Sequence, residues 1–228
     1  MFGSIIKKIA KKIKFRLIDK PVLSIANYKY NKFLNNGERY DPDIASMINC
    51  KDLCHVARYE FAKTYLLSED IVLDMACGTG YGTKLLSNHC QTISGVDISS
   101  VAIKYAKSKY RNKNIEFIVG DFFSYTKKAD AVISFETIEH IKYDGNFADI
   151  IQKLADYSNR IVIGSVPYKE KMGNNKYHYF FGIDEGYFVF LRKSGNLSFF
   201  YQTNDGKIYS NEPSNNIQNL IFVFAKDK

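Results

Sequence analysis

From residue 71 onward the apolar positions fall into short runs separated by amphipathic stretches. Ile71-Val72-Leu73 is too short for a helix and predicts a strand. Residues 80–88 carry helical spacing, and Thr92–Val96 is a second apolar run. Val101–Tyr110 predicts a second helix, Ile115–Val119 a third strand and Ala131–Phe135 a fourth. A helix over 146–157 and a fifth strand at Arg160–Gly164 complete the series. One further helix, at about 52–67, precedes it, with Val56, Tyr59, Phe61, Ala62, Tyr65 and Leu66 as its apolar positions. Strands alternating with helices of this length predict βαβ units and a parallel sheet covered on both faces. The end of the chain breaks that rhythm. A helix over 184–193, closed by Gly195, is followed by two apolar runs, Leu197–Tyr201 and Leu220–Ala225, joined by polar residues. Such a connection permits an antiparallel hairpin. The expected fold is α/β: a doubly wound, Rossmann-like sheet of seven strands, mostly parallel with an antiparallel C-terminal hairpin.

The beginning of the chain follows a different pattern. Ile5, Ile6, Ile9, Ile13 and Leu17 recur at helical spacing with lysines on the opposite side, so residues 4–18 predict a basic amphipathic helix. It can pack on its own domain or on a second subunit, or lie on an anionic membrane surface. Residues 19–50 are irregular and rich in Asn and Tyr. No run of 18 apolar residues occurs, and lysines interrupt every candidate signal-peptide core. The expected location is the cytoplasm, with peripheral contact at the inner membrane face as an option.

Charge sharpens this division. Residues 1–20 carry +6 of the net +8, which leaves +2 for all the remaining residues. A nearly neutral body argues against nucleic acid as partner, because that role spreads basic charge along a face. With 46% hydrophobic and 25% charged residues, the 228-residue chain is neither disordered nor a disulfide scaffold. Cys50, Cys54, Cys77 and Cys90 lack zinc-finger spacing, so reduced thiols and no metal are expected.

The first strand runs into Leu73-Asp74-Met75-Ala76-Cys77-Gly78-Thr79-Gly80-Tyr81-Gly82. A glycine-rich turn between strand and helix lets a ligand approach the backbone, and the helix start adds donors. The dinucleotide pattern G-x-G-x-x-G is off register, since Thr83 stands where its third glycine belongs. No Lys-Ser or Lys-Thr pair follows, so the loop is not a P-loop. Asp97, ending the second strand beside Ile98, can accept both hydroxyls of a ribose, which suits NAD and S-adenosylmethionine equally. Asp74 sits where it would repel a pyrophosphate but not a sulfonium. Asp121, in Gly120-Asp121-Phe122, is placed to meet an adenine amino group, with Phe122 available to pack on the ring; a helix cap is the alternative for Asp121.

In these motifs the chain resembles class I S-adenosylmethionine-dependent methyltransferases. The loop at Asp74 to Gly80, Val96-Asp97, Gly120-Asp121 and the segment Val132 to His140 look like their successive motifs, and the resemblance runs from about Gly37 to Ala225. Ala76 departs from the glycine more usual there. The chain is read in two parts, residues 1–20 as the basic helix that the periodicity predicts and 21–228 as the methyltransferase domain that the resemblance implies. Gly37-Glu38-Arg39-Tyr40 and His55-x-x-Arg58-Tyr59 are similar to the entry segment of small-molecule members found in clusters for capsules and other glycans. It implies S-adenosylmethionine as cofactor and S-adenosylhomocysteine as product, held by Tyr40, Arg58, Asp74, Ala76, Gly78, Gly80, Asp97, Ile98, Asp121, Phe122, Phe135 and Glu136. In that reading Arg58 binds the cofactor carboxylate.

Acceptors in doubly wound folds sit outside the carboxyl ends of the strands. His140, after the fourth strand, and His178, in the loop after the fifth, are therefore the candidate bases, with a structural helix-start role as the alternative for His140. Tyr177, Tyr179, Phe180 and Phe181 can form a lid, while Tyr187, Phe188 and Phe190 are read as core. The expected reaction is methylation of a small molecule, at a sugar oxygen or a phosphoramidate group of a capsule or surface glycan. N-methylation of an amino sugar or other small amine, and a catalytically silent cofactor-binding subunit, are the alternatives.

Overall fold

The computed structural model describes Asp41 and residues 54–227. The amphipathic helix over 4–18, the irregular segment over 19–50 and Tyr40 lie outside the described residues. Helix α1 (Cys54–Lys63) leads into β1 (Ile71–Met75), α2 (Tyr81–Leu86), β2 (Thr92–Asp97), α3 (Ser100–Lys109), β3 (Ile115–Val119) and β4 (Ala129–Phe135). A single 3-10 turn (Ile138–His140), α4 (Phe147–Asp156) and β5 (Ser158–Pro167) follow. The chain closes with β6 (Gly195–Thr203), β7 (Ile208–Tyr209) and β8 (Ile217–Lys226).

These strands form one sheet in the order β3-β2-β1-β4-β5-β8-β6-β7. The pairs among β1 to β5 are parallel, and β8 runs antiparallel to both β5 and β6. The order reverses direction at β1, with β2 on one side and β4 on the other. A ligand crevice forms at such a point, outside the carboxyl ends of the strands. The alternation of side chains along each strand supplies two cores. Leu73, Val132 and Val162 face α4, whose Ile150, Ile151 and Leu154 are buried against them. Val72, Ala131, Ile133 and Ile163 face the opposite way, with Tyr59 and Ala62 of α1 and Leu86 of α2.

Two expectations need correcting. The segment 184–193 is not an α-helix but two 3-10 turns, Glu185–Tyr187 and Val189–Lys193. Its buried residues, Phe188 and Leu191, are three apart, a spacing that three residues per turn accommodates. Gly195 does not close a helix; it opens β6, where a Cβ would lie 2.2 Å from the Ala225 carbonyl oxygen. The polar connection of the C-terminal hairpin also contributes β7, a two-residue eighth strand on the edge of the sheet.

Candidate functional site

Around the β1–α2 loop the backbone takes up the left-handed region three times within five residues: Ala76 at φ 62°, Gly78 at φ 55° and Gly80 at φ 80°. The two glycines serve different ends. Among the described residues nothing lies within 4 Å of the position a Cβ would take on Gly78, so none of them covers this side of the loop. At Gly80 a Cβ would meet Ala106 and Phe117 at 2.7 Å, so the loop presses directly on α3 and β3. Gly82 is tighter still, since its Cβ would fall 1.9 Å from the Tyr59 ring. Gly82→Ala is expected to lower stability by about 1–3 kcal/mol through overpacking, read as a shift in the urea midpoint.

Carboxylates brace this loop. Asp74 is buried, and its two oxygens accept hydrogen bonds from the Thr83 hydroxyl at 2.6 Å and the Tyr59 hydroxyl at 3.2 Å. Burial pushes its pKa from 3.8 to about 6, against the lowering effect of those bonds. A native pKa above the unfolded value means that the folded state holds the proton more tightly. This contribution to stability is complete below pH 3.8 and is lost as pH rises through about 6. In Asp74→Asn, that part of the pH dependence of the melting temperature is expected to disappear.

Asp97, at the end of β2, accepts from the Gly78 N–H at 2.9 Å with one oxygen and from the Ser99 N–H at 2.8 Å with the other. It is 5% exposed, beside Ile98, whose apolar side chain is 68% exposed. An open glycine loop, a carboxylate fixed beside it and a bare apolar side chain next along suit a ligand with hydroxyls, a flat ring and positive charge.

Asp121 is exposed, and its Oδ1 accepts from the N–H groups of Phe123 at 2.9 Å and Ser124 at 3.2 Å, the capping arrangement. Phe122, expected to pack on a ligand ring, is instead part of the core. It is 8% exposed, meets Phe123 and Tyr157 edge-on, and its carbonyl accepts from the Tyr157 hydroxyl.

Arg58 also requires correction. It was expected to reach a ligand carboxylate, yet it is 2% exposed and at the centre of a buried polar network. Its Nη1 donates to Gln202 Oε1 and Asn219 Oδ1, both at 2.9 Å, and Nη2 lies 2.9 Å from His55 Nδ1. Asn219 in turn donates to Glu136 Oε2 at 2.7 Å, and Ser165 donates to Glu136 Oε1 at 2.8 Å. Glu136 itself is a non-glycine residue at φ 50°, held there by its N–H bonding the Ser165 carbonyl at 3.2 Å. Gln202, Asn219 and Ser165 lie on β6, β8 and β5, so no local sequence signal marked them. Phe135, the last residue of β4, meets the Tyr59 ring edge-on at 5.0 Å. Tyr40 is outside the described residues. Its neighbour Asp41 is buried and pairs with Lys109 Nζ at 2.8 Å and the Tyr105 hydroxyl at 2.9 Å on α3.

His140 and His178 come together although they belong to different segments. Their rings are 4.5 Å apart and nearly perpendicular, at 80°. His140 Nδ1 lies 3.2 Å from the Tyr177 carbonyl, and His178 Nδ1 pairs with Glu170. The Tyr179 N–H bonds the Glu139 carbonyl at 2.8 Å, which fastens the loop after β5 to the turn after β4. Of the aromatic residues, Phe188 is core and lies tilted against Phe222 with ring centres 4.5 Å apart, Phe190 packs against the same cluster, and Tyr187, read as core, is 43% exposed against Phe147.

Residues 72–157 match the family model described as "Methyltransferase domain". The malonyl-[acyl-carrier protein] O-methyltransferase of Priestia megaterium is 30% identical over 114 residues, which is 47% of this chain and 40% of that enzyme. The chain thus spans about two-fifths of the length of that curated relative. The N-methyltransferase NodS from Bradyrhizobium japonicum, solved with S-adenosyl-L-homocysteine, superposes with a TM-score of 0.59 at 14% identity, covering 76% of this chain and 86% of NodS. Magnesium protoporphyrin IX methyltransferase from Synechocystis, also solved with that product, superposes with a TM-score of 0.61 at 15% identity over 92% of this chain and 100% of its own. The glycine loop, Asp74 and Asp97 lie within the matched segment, and over residues 72–157 the chain is similar to a methyltransferase domain.

Proposed function

We propose that this chain binds S-adenosylmethionine over the β1–α2 loop and transfers its methyl group to a small-molecule acceptor held between the turn after β4 and the loop after β5. The observation that carries the reading is Asp97, fixed by two backbone N–H groups at the rim of an open glycine loop. Gly78 and Gly80 pass beneath the methionine part, with Ala76 beside them. Asp97 takes the ribose hydroxyls, Ile98 covers one face of the adenine, and Asp121 meets its amino group. Phe135 lines the methionine pocket, and Glu136, oriented by Asn219 and Ser165, faces the methionine amine. Asp74 and Arg58 act one layer behind, by positioning the loop and Glu136 respectively; Tyr40 is assigned to the cofactor on its sequence motif alone.

When bound, the cofactor supplies an activated methyl on a sulfonium, so the protein has to position the nucleophile and exclude water. An acceptor hydroxyl must lose its proton as its oxygen attacks. His178, with its Nδ1 held by Glu170, offers Nε2 as the proton acceptor once the Asn175 amide, 3.0 Å away, gives way to the acceptor hydroxyl, and His140 stands beside it. The bond to sulfur breaks as the bond to oxygen forms, and the electron pair returns to sulfur. We assign the acceptor to a sugar hydroxyl or phosphoramidate group of a capsule or surface glycan, an assignment supported by the entry-segment motifs at Gly37 to Tyr40 and His55 to Tyr59. Among the described residues no helix is long and apolar enough to cross a membrane. Residues 1–20 are proposed as a site of peripheral membrane contact or self-association.

The test uses methyl-labelled S-adenosylmethionine, the purified chain and fractionated cell extract. Label is expected in soluble nucleotide-sugars or phosphorylated metabolites. Label confined to RNA or protein would overturn the small-molecule assignment. An amine product instead of an ether or ester would move the reaction to N-methylation.

A further inference from the structure

The turn after β4 presents a carboxylate for which methyl transfer alone has no use. Glu139 is fully buried, and both its carboxylate oxygens lack a hydrogen-bond partner. An ionised carboxylate in that state carries a desolvation cost of several kcal/mol unless it takes up a proton or a cation neutralises it. Arg58 forms no ion pair with it among the described residues, and its Nη1 and Nη2 are engaged by Gln202, Asn219 and His55. One potential ligand atom from each of Glu139, His140 and His178 lies within 4.8 Å of the other two.

We propose that Glu139, His140 and His178 form a three-ligand site for a divalent transition-metal ion of the zinc class. The inference rests on the reading of His140 and His178 as the acceptor side of the site. Two imidazoles and one carboxylate are the donor set of open zinc sites, which keep a position for water or substrate. The outer partners fit as well. A metal-bound imidazole donates its other N–H to a carboxylate or carbonyl oxygen. His178 Nδ1 faces Glu170 in that way, and His140 Nδ1 faces the Tyr177 carbonyl at 3.2 Å. Both arrangements leave Nε2 as the lone-pair nitrogen. At His178 that nitrogen lies 3.0 Å from the Asn175 amide nitrogen, which is placed to donate to it. The ion displaces this contact. Glu136 is not a ligand, since Ser165 and Asn219 occupy its two oxygens.

With the ion in place the histidines act through it rather than as bases. An acceptor hydroxyl on the open position gives its proton to water, and its oxygen keeps the electron pair that forms the new bond to the methyl group. The cysteine spacing, which pointed away from a metal, is irrelevant to this site, because none of its three ligands is a thiol.

The full-length protein, stripped with a chelator, is titrated with ZnCl2 by calorimetry and separately with CoCl2, whose visible absorption reports nitrogen ligation. About one ion per chain is expected. The double variant His140→Ala/His178→Ala should lose it. Glu170→Gln, which disturbs only the outer partner, should weaken it by about tenfold or more while leaving S-adenosylhomocysteine affinity unchanged. Retained S-adenosylhomocysteine binding in each variant shows that the domain is folded. Absence of stoichiometric binding by the wild type overturns the site, as does equal affinity in the double variant. Metal binding without cofactor binding would overturn the proposed function and leave the metal site standing; cofactor binding without metal does the reverse.

Discussion

Replacing Asp97 with alanine is expected to weaken S-adenosylmethionine binding by about 2 kcal/mol or more, roughly thirtyfold in Kd. Two losses combine. A carboxylate that accepts charge-assisted hydrogen bonds from ribose hydroxyls disappears. The Gly78 and Ser99 N–H groups, which now bond its two oxygens at 2.9 and 2.8 Å, also lose their partner, so the loop is released from β2. Asp97→Asn keeps the size and one accepting oxygen, and its affinity should fall between those of the other two proteins. Calorimetry gives the affinities, and a parallel urea titration separates binding from folding. Equal affinity for Asp97→Ala and the wild type contradicts the ribose assignment.

Arg58→Met is expected to cost stability rather than contacts to ligand, by about 3–5 kcal/mol, the range for removing one partner of a buried ionic network. Arg58 is 2% exposed, and its loss strips donors from Gln202 and Asn219 inside the protein. Glu136, 4.0 Å from Arg58 Nη1, keeps its bonds to Ser165 and Asn219 but loses the nearby positive charge. The effect is read from urea unfolding in the absence of cofactor. An unchanged midpoint with sharply reduced cofactor affinity would return Arg58 to the ligand-binding role that its sequence position suggests.

The first half of this fold was legible because its signals are local. Ile115–Val119 is a strand in sequence and structure alike, and the alternation of runs from Ile71 to Pro167 gives the parallel order once short connections are assumed. The glycine loop was legible for the same reason, since positive φ at Gly78 and Gly80 is a backbone demand that only certain residues meet cheaply. What escaped was non-local. Arg58 reads as an arginine on an amphipathic helix, and nothing nearby shows that Gln202 and Asn219, on strands near the end of the chain, close around it. Phe122 follows Asp121 as a ring-packing residue would, but whether its ring turns to the crevice or to Tyr157 is decided by α4 and β5 packing. Glu139 lay in plain view between Ile138 and His140, yet burial and the lack of any partner belong to the folded state alone. The segment 184–193 misled because its aromatic residues satisfy helical and 3-10 spacing alike over so short a stretch.

The most direct test of the central claim is a parallel calorimetric titration of the full-length protein with S-adenosylhomocysteine and with NADH. Saturable binding of S-adenosylhomocysteine, abolished or strongly weakened in Asp97→Ala, with no heat from NADH, is the result expected. Binding of NADH in its place would contradict the account, because the buried Asp74 behind the loop and the off-register third glycine would then have failed to exclude a dinucleotide.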